Sequence, residues 1–340
     1  MKRVLLICGL LMLLLVSNMF ANYYYLHSFT TDTSPGPIAV DTSPTTTDCY
    51  YATFNSANCT IYYVPDFLTS TGTTDQRLIA GPIAFNATRG FQGIALDSSD
   101  NVFVSGDNGS GSGIFREYTP NPGKTLWTLD ATFVPDNTVR YAGCALLNDN
   151  RIVASVTTAQ PKVLSTTDGS SIADLPADTA YGREPTFNPA NNDIYQGLNR
   201  GTASAQTLEI YKDGTPANPA GYTLDSTLLF SDDVGTLIAR NHNGYDKENN
   251  RLIHIDVQNK DIEIYSVNTS QRGATSINTT PVETIDLDTI LGTTVTSPFD
   301  VVHIRVSGTD YLLISDYDPT VSKIHVFGPV PTKAKSWMFY

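Results

Sequence analysis

Long apolar runs, charged residues and cysteines are all scarce in this 340-residue chain. Charged residues make up 16%, against roughly 25% in an average globular protein, and Thr, Ser, Asn, Gly and Pro fill the polar positions. That mixture favours strands and turns over long helices. Bases are the scarcer sign: 21 Lys and Arg face 34 Asp and Glu. Lys2 and Arg3 lie in a segment expected to be removed, which leaves 19 bases and a net charge of −15. Nucleic acids and anionic membrane surfaces require a basic field, so neither is an expected partner. Several catalytic signatures are also missing. There is no Cys-x-x-Cys, no His-Glu-x-x-His and no Gly-x-Ser-x-Gly, which removes cysteine zinc sites, c-type haem, the zincin motif and the α/β-hydrolase elbow.

The one substantial apolar run is Val4–Val16, 13 residues long and too short to span a bilayer comfortably. Lys2 and Arg3 precede it and Ala21 closes the segment, so residues 1–21 read as a secretory signal, with a retained anchor as the alternative. The expected organisation is a signal over 1–21, one domain over 22–330 and a tail over 331–340. The mature chain is expected to be secreted, extracellular or periplasmic, with no membrane span. Three cysteines then remain. Export permits a Cys49–Cys59 disulfide, but a hairpin turn at Asn55–Asn58 would set Phe54 opposite Cys59, so a bridge needs another turn. Both states stay open. Cys144 lies in an apolar stretch and reads as a buried thiol.

A phrase recurs along the chain: a short apolar strand, a polar turn, then an alternating strand. Gly93-Ile-Ala-Leu-Asp97, Ser-Ser-Asp-Asn101 and Val-Phe-Val-Ser105 form the clearest copy. Ile114–Tyr118 and Lys124–Asp130 follow it as third and fourth strands. Other copies begin at Gly143, Pro185, Asn243 and Asp300, with a looser one at Pro37. First strands start near Ile38, Ile94, Cys144, Thr186, Gly244 and Val301, at intervals of 56, 50, 42, 58 and 57 residues. Four short strands with their turns need about 40 to 50 residues, the size of a propeller blade. A four-stranded sheet with two apolar faces cannot bury both alone. The fold class is therefore all-β, a six-bladed β-propeller of four-stranded antiparallel blades. Tyr23–Phe29 is left over at the front and is expected to supply the outer strand of the last blade, closing the ring. Ser336–Tyr340 is the competing source. The stretches Leu68–Phe91 and Gly201–Ile238 leave room for a hidden strand pair, and hence a seventh blade.

The phrase Gly93-Ile-Ala-Leu-Asp97…Asp100-Asn-Val-Phe-Val-Ser105 resembles the NHL repeat, and Phe299-Asp300…Tyr311-Leu-Leu-Ile-Ser-Asp316…Lys323-Ile-His-Val-Phe327 is a second match. That resemblance implies a six-bladed propeller used for binding. Glu184-Pro185, Asn243-Gly244 and Asp300 following Pro298-Phe299 are similar to the metal-ligand phrases of gluconolactonase and regucalcin-like propellers. What this implies is a divalent cation, calcium for an all-oxygen set, held in the channel by Glu184, Asn243 and Asp300. Such a cation would polarise a lactone carbonyl or a water. The chain departs from that pattern: the Gly after the Glu is absent, and Val301 replaces the Gly after the Asp. The competing reading makes Glu184 and Asp300 ordinary loop residues and Asn243-Gly244 a turn.

His242 and His303 lie near first strands and could line the same mouth, with His242 and Asn243 beside Arg240 and Asp246 in a polar cluster. His254 and His325 fall in second and third strands, where packing between blades is the simpler role. The Gly-rich run Asp107–Gly113 has the flexibility to wrap calcium but lacks the spacing of an EF-hand loop, and Gly-Lys-Ser/Thr does not follow it directly. Five glycosylation sequons occur, at Asn58, Asn86, Asn108, Asn268 and Asn278, as many as the composition yields by chance. Tyrosine clusters at Tyr23–Tyr25, Tyr50-Tyr51 and Tyr62-Tyr63 would serve either sugar stacking or blade packing. The expectation is a monomeric or weakly associating module that binds an extracellular protein or glycan. A metal-dependent lactonase or hydrolase is the alternative. A structural surface or matrix protein, assembling through its tail Lys333–Tyr340, is the third.

Overall fold

The middle strands of the repeats, such as Val102–Ser105 and Leu312–Ser315, carry apolar residues at successive positions, so both of their faces need cover. The computed structural model supplies it with a ring of sheets. It describes residues 23–329, apart from 42, 44, 55–56, 86–89, 109–111, 158, 177–180, 200–207, 213, 229–241, 258 and 293–296. The predicted signal and the tail lie outside the described residues.

The chain opens with β1 (Tyr23–Thr30) and then builds one antiparallel sheet after another. Blade one contains β2 (Pro35–Val40), β3 (Cys49–Thr53), β4 (Asn58–Val64) and β5 (Arg77–Ala84). Blade two contains β6 (Gly90–Leu96), β7 (Val102–Asp107), β8 (Gly113–Pro120) and β9 (Trp127–Leu129). Blade three runs through β10 (Tyr141–Asn148), β11 (Arg151–Val156), β12 (Lys162–Ser165) and β13 (Ser171–Asp174). Blade four follows with β14 (Tyr181–Asn188), β15 (Asp193–Asn199), β16 (Leu208–Lys212) and β17 (Thr223–Leu228). Blade five has β18 (Asn243–Asp246), β19 (Arg251–Asp256), β20 (Asp261–Ser266) and β21 (Glu283–Asp286). The last blade has β22 (Pro298–Val306), β23 (Thr309–Asp316) and β24 (Lys323–Pro329), with β1 as its outer strand.

The ring thus closes through the N-terminal strand, as expected: Thr30 pairs with Lys323, Phe29 with Ile324 and Tyr23 with Pro329. Among the described residues, the stretches with room for more strands hold β5 and the start of β6, and then β16 and β17; β5 and β17 complete blades one and four. The fourth strand of blade two is shorter than expected, because Lys124 sits in the preceding turn. There it adopts φ 47° and is paired with Asp41, Asp48 and Asp100.

Six apolar clusters fill the six seams between neighbouring blades. Strand alternation feeds two seams at once. In β7, Val102 and Val104 face blade one while Phe103 faces blade three. In β23, Leu312 and Ile314 face blade five while Leu313 faces blade one. The tyrosines follow the same logic: Tyr50 and Tyr51 are fully buried on opposite faces of β3, so packing between blades is their role.

The turns that mark the repeat have a backbone reason. Asp100, Asn192, Asn250 and Ser307 lie between first and second strands with φ between 49° and 62°. Asp and Asn tolerate that left-handed region better than most side chains. The register of blade one sets Cys49 opposite Val64 and leaves Cys59 to another seam. Cys49, Cys59 and Cys144 are all buried, and no disulfide joins them.

Candidate functional site at the channel

First strands line the central channel, and five of them begin with a bulge. The register shifts between Pro35 and Ile38, Phe91 and Gly93, Tyr141 and Gly143, Gly182 and Pro185, and Pro298 and Asp300. A bulge re-aims one side chain relative to the ladder. In β14 it lifts Glu184 out of the pairing, and in β22 it directs Asp300. Gly143 makes room for this, because a Cβ there would lie 2.5 Å from the Cα of Glu184. Asn243-Gly244, for which a turn was the competing reading, is instead the start of β18.

Glu184, His242 and Asp300 converge. One ligand atom from each lies within 4.8 Å of the others, and all three residues are buried. His242 Nδ1 is 2.7 Å from Glu184 Oε2 and 4.0 Å from Asp300 Oδ1. The imidazole rests against Phe299, with ring centroids 4.4 Å apart. Asp300 is held by two backbone donors: its Oδ2 accepts from the Ile38 N–H at 2.7 Å and its Oδ1 from the Val301 N–H at 2.7 Å. The Asp300 N–H in turn donates to Ser315 Oγ, which donates to the Gly36 carbonyl.

Burial drives the Glu184 carboxyl far above its ordinary range, and the adjacent Asp300 charge and hydrogen bond add to it. Burial also raises Asp300, while the Ile38 N–H, the hydrogen bond from Glu184 and the Val301 N–H pull against the rise. Two carboxyls this close do not both ionise, so they retain a proton between them, carried by Glu184. Among the described residues no Lys or Arg pairs with either acid.

Asn243 lines the same cavity of about 210 Å³ as Glu184 and Asp300, but its oxygen is taken. Asn243 Oδ1 lies 2.8 Å from His254 Nδ1, and Asn243 Nδ2 has no partner among the described residues. A half-turn of the amide would place Nδ2 on the other tautomer of His254 and turn Oδ1 to where Nδ2 now sits. The cavity walls are otherwise mostly apolar, with Ala39, Ala95 and Ala145 among them, and Cys144, Thr186, Tyr245 and His303 line it as well. With an imidazole in the group, the donors become mixed nitrogen and oxygen, a set that suits zinc or manganese as well as calcium.

His242 is therefore part of the same group as Glu184 and Asp300. The signal for it was its position just before Asn243 at the head of a first strand. His303 lines the same cavity but faces a separate set of acids. Arg240 lies outside the described residues. Asp107 is no loop ligand: it ends β7, fully buried, with Arg140 Nε at 2.8 Å and Nη2 at 2.6 Å on its carboxylate. Burial lowers His325 to about 4 and Lys323 adds to the shift, so that ring is neutral between blades.

A second polar layer behind the channel went unread in the sequence. Gln196 accepts from Ser155 Oγ at 2.7 Å and donates to Glu209 at 3.0 Å, and Tyr211 donates to the same carboxylate. In blade five Tyr265 donates likewise to Glu263. The near-identical strings Leu208-Glu-Ile-Tyr211 and Ile262-Glu-Ile-Tyr265 were the available signal.

No protein-family model matches the chain, and no curated protein matches its sequence. Among solved structures it is similar to the β-propeller domain of Cps50 (Swd1) from Myceliophteria thermophila. That match has a TM-score of 0.52 and 5% identity, and it covers 91% of this chain and 100% of that one. At such identity the likeness shows the fold alone. The chain is a six-bladed β-propeller, a fold that commonly serves as a binding or scaffold module. Nothing in the comparison supports the NHL or gluconolactonase-like family specifically.

Proposed function

We propose that this protein is an exported binding propeller that holds a divalent cation at Glu184, His242 and Asp300 and recognises an extracellular ligand, protein or glycan, at that end of its channel. One observation carries the reading. Two buried carboxyls share a small channel cavity with no Lys or Arg paired to either among the described residues. Burying two carboxyls with a single imidazole as their basic neighbour among the described residues detracts from stability, and so marks a site. A proton balances the pair in the free protein. A divalent cation would replace that proton, taking Glu184 and Asp300 oxygens and the imidazole as ligands, with Asn243 Oδ1 available after its amide turns. Calcium remains a candidate through the carboxylates, and the imidazole adds zinc and manganese.

Export rests on Lys2, Arg3 and the apolar run Val4–Val16. In its favour, the ring-closing strand begins at Tyr23, just beyond the predicted cleavage at Ala21. No helix among the described residues is long and apolar enough to cross a membrane.

A metal-dependent lactonase or related hydrolase is the second reading. The 2.7 Å contact between Glu184 and His242 favours it, because a carboxyl–imidazole pair beside a cation is equipped to take a proton from water. Elemental analysis and melting in EDTA, then with added calcium, manganese or zinc, test the cation. A bound ion and a melting temperature that falls in EDTA are expected, both lost in Asp300→Asn. No uptake of any of the three ions would end the proposal. Turnover of lactones or esters by the loaded protein would move the reading from binding to hydrolysis.

A further inference from the structure

The channel differs between its two ends. At the bulged ends of the first strands, the described side chains facing the axis are shut off from solvent: His242 and Phe299 are each 1% exposed and Gln92 is 2%. Phe299 occupies one half of that layer, its ring centroid 4.4 Å from that of His242 and 4.9 Å from that of Phe54. Arg183 crosses the other half, where its Nη1 donates to Gln92 Oε1. Arg183 belongs to blade four and Gln92 to blade two, so with blade three between them the bond spans the channel. Toward the turns between first and second strands the walls open instead. Leu96, Leu146, Thr186 and Val302 are half-buried there, two residues, or about 7 Å, beyond the level of Glu184 and Asp300.

A pocket open at one end admits the end of a chain, whereas a loop needs room both to enter and to leave. The cavity of about 210 Å³ equals roughly seven waters at about 30 Å³ each, the scale of one sugar unit rather than a longer segment. The polar groups at its floor set the chemistry. Asn243 is 4% exposed and lines the cavity. Its Oδ1 is held by His254, which leaves the Nδ2 donor without a partner among the described residues. In the same cavity Glu184 and Asp300 offer carboxyl oxygens. A hydroxyl accepts from an N–H and donates to a carboxyl oxygen through one atom, so it satisfies both kinds of group. A carboxylate ligand would face two acids, in a chain whose 34 acidic residues outnumber 21 basic ones. An ammonium would leave the Asn243 donor unmet. Neighbouring hydroxyls on a neutral carbon frame fit the floor, and the apolar wall at Ala39 and Ala95 suits the C–H faces of that frame.

We infer that the channel is a dead-end pocket for the terminal unit of a neutral glycan, which enters from the turn face and sets its hydroxyls against Asn243 Nδ2 and the Glu184 and Asp300 carboxyls. This rests on the proposal that the ligand binds in this channel, and it holds whether a proton or a cation balances the two acids.

Calorimetric titration of the purified protein with the methyl glycosides of glucose, galactose and mannose, and with linear and cyclic maltohexaose, tests this in EDTA and again with manganese. At least one glycoside is expected to bind. The linear hexamer is expected to follow the glucoside, and the cyclic form, which has no terminal unit, is expected not to bind. Asn243→Asp keeps an acceptor for His254 and removes the donor, and is expected to weaken binding at least about tenfold. Thr186→Tyr narrows the open mouth and is expected to weaken it as well, whereas Gln92→Ala, at the barred end, is expected to bind as the wild type does. Absence of binding by all three glycosides would overturn the inference. So would binding of the cyclic form, or a loss in Gln92→Ala with none in Thr186→Tyr. Sugar binding without cation uptake would remove the cation from the proposed function and leave this inference standing, and cation uptake without sugar binding would do the reverse.

Discussion

Replacing Glu184 with Gln removes a titratable group while keeping its shape and its ability to hydrogen-bond Asp300 and His242. In the wild-type protein the raised Glu184 pKa means that the folded chain keeps a proton the unfolded chain releases above a pKa of about 4.3. A carboxyl raised in this way gives stability that is present below the unfolded pKa and lost as pH rises toward the folded one. Each retained proton costs about 1.4 kcal/mol of folding stability per pH unit across that window. Glu184→Gln retains no such proton, while burial keeps Asp300 raised in both proteins. The variant should therefore gain on the wild type as pH rises above the ordinary carboxylate range, at up to that slope. Urea unfolding in EDTA, at half-unit pH steps, measures the difference. Saturating divalent cation should remove the wild-type slope, because the ion displaces the proton. Parallel pH profiles for the two proteins in EDTA would refute the shared-proton argument.

Two other outcomes follow from the packing. Phe29 is fully buried in the seam between the last blade and blade one, so Phe29→Ala should cost about 3–5 kcal/mol by denaturant unfolding, and a loss under 1 kcal/mol would deny the N-terminal closure its structural role. The chain from Asn22 should show no thiol reactive to an aromatic disulfide reagent when native and three when denatured, since burial raises the Cys49 and Cys144 thiols far above their usual range; one denatured thiol would indicate a Cys49–Cys59 bridge.

Much of the architecture was legible because propeller repeats are local. Each blade is one contiguous stretch, and the Asp and Asn turns at Asp100, Asn192 and Asn250 recur for a backbone reason that any chain of L-residues must respect. The apolar runs of the middle strands announced sheets covered on both faces, and the surplus strand at Tyr23 announced the closure. The register that separates Cys49 from Cys59 followed from counting outward from the turn.

The sites were only half legible. Glu184 and Asp300 stood out beside first strands, but they are 116 positions apart, and nothing local says that their carboxyls meet. That depends on bulges at Gly182–Pro185 and Pro298–Asp300, which arise from how strands crowd around the axis. His242 joins the group because its imidazole meets Glu184, while the next residue, Asn243, lines the channel cavity with its amide oxygen on His254. The cluster of Asp246, Glu248 and His303 likewise forms where blade five abuts blade six. By itself the sequence determined most of the strands and turns, because these answer to neighbours along the chain, while a seventh blade stayed open. Which side chains share a volume was decided by ring closure, which brings six distant first strands around one axis.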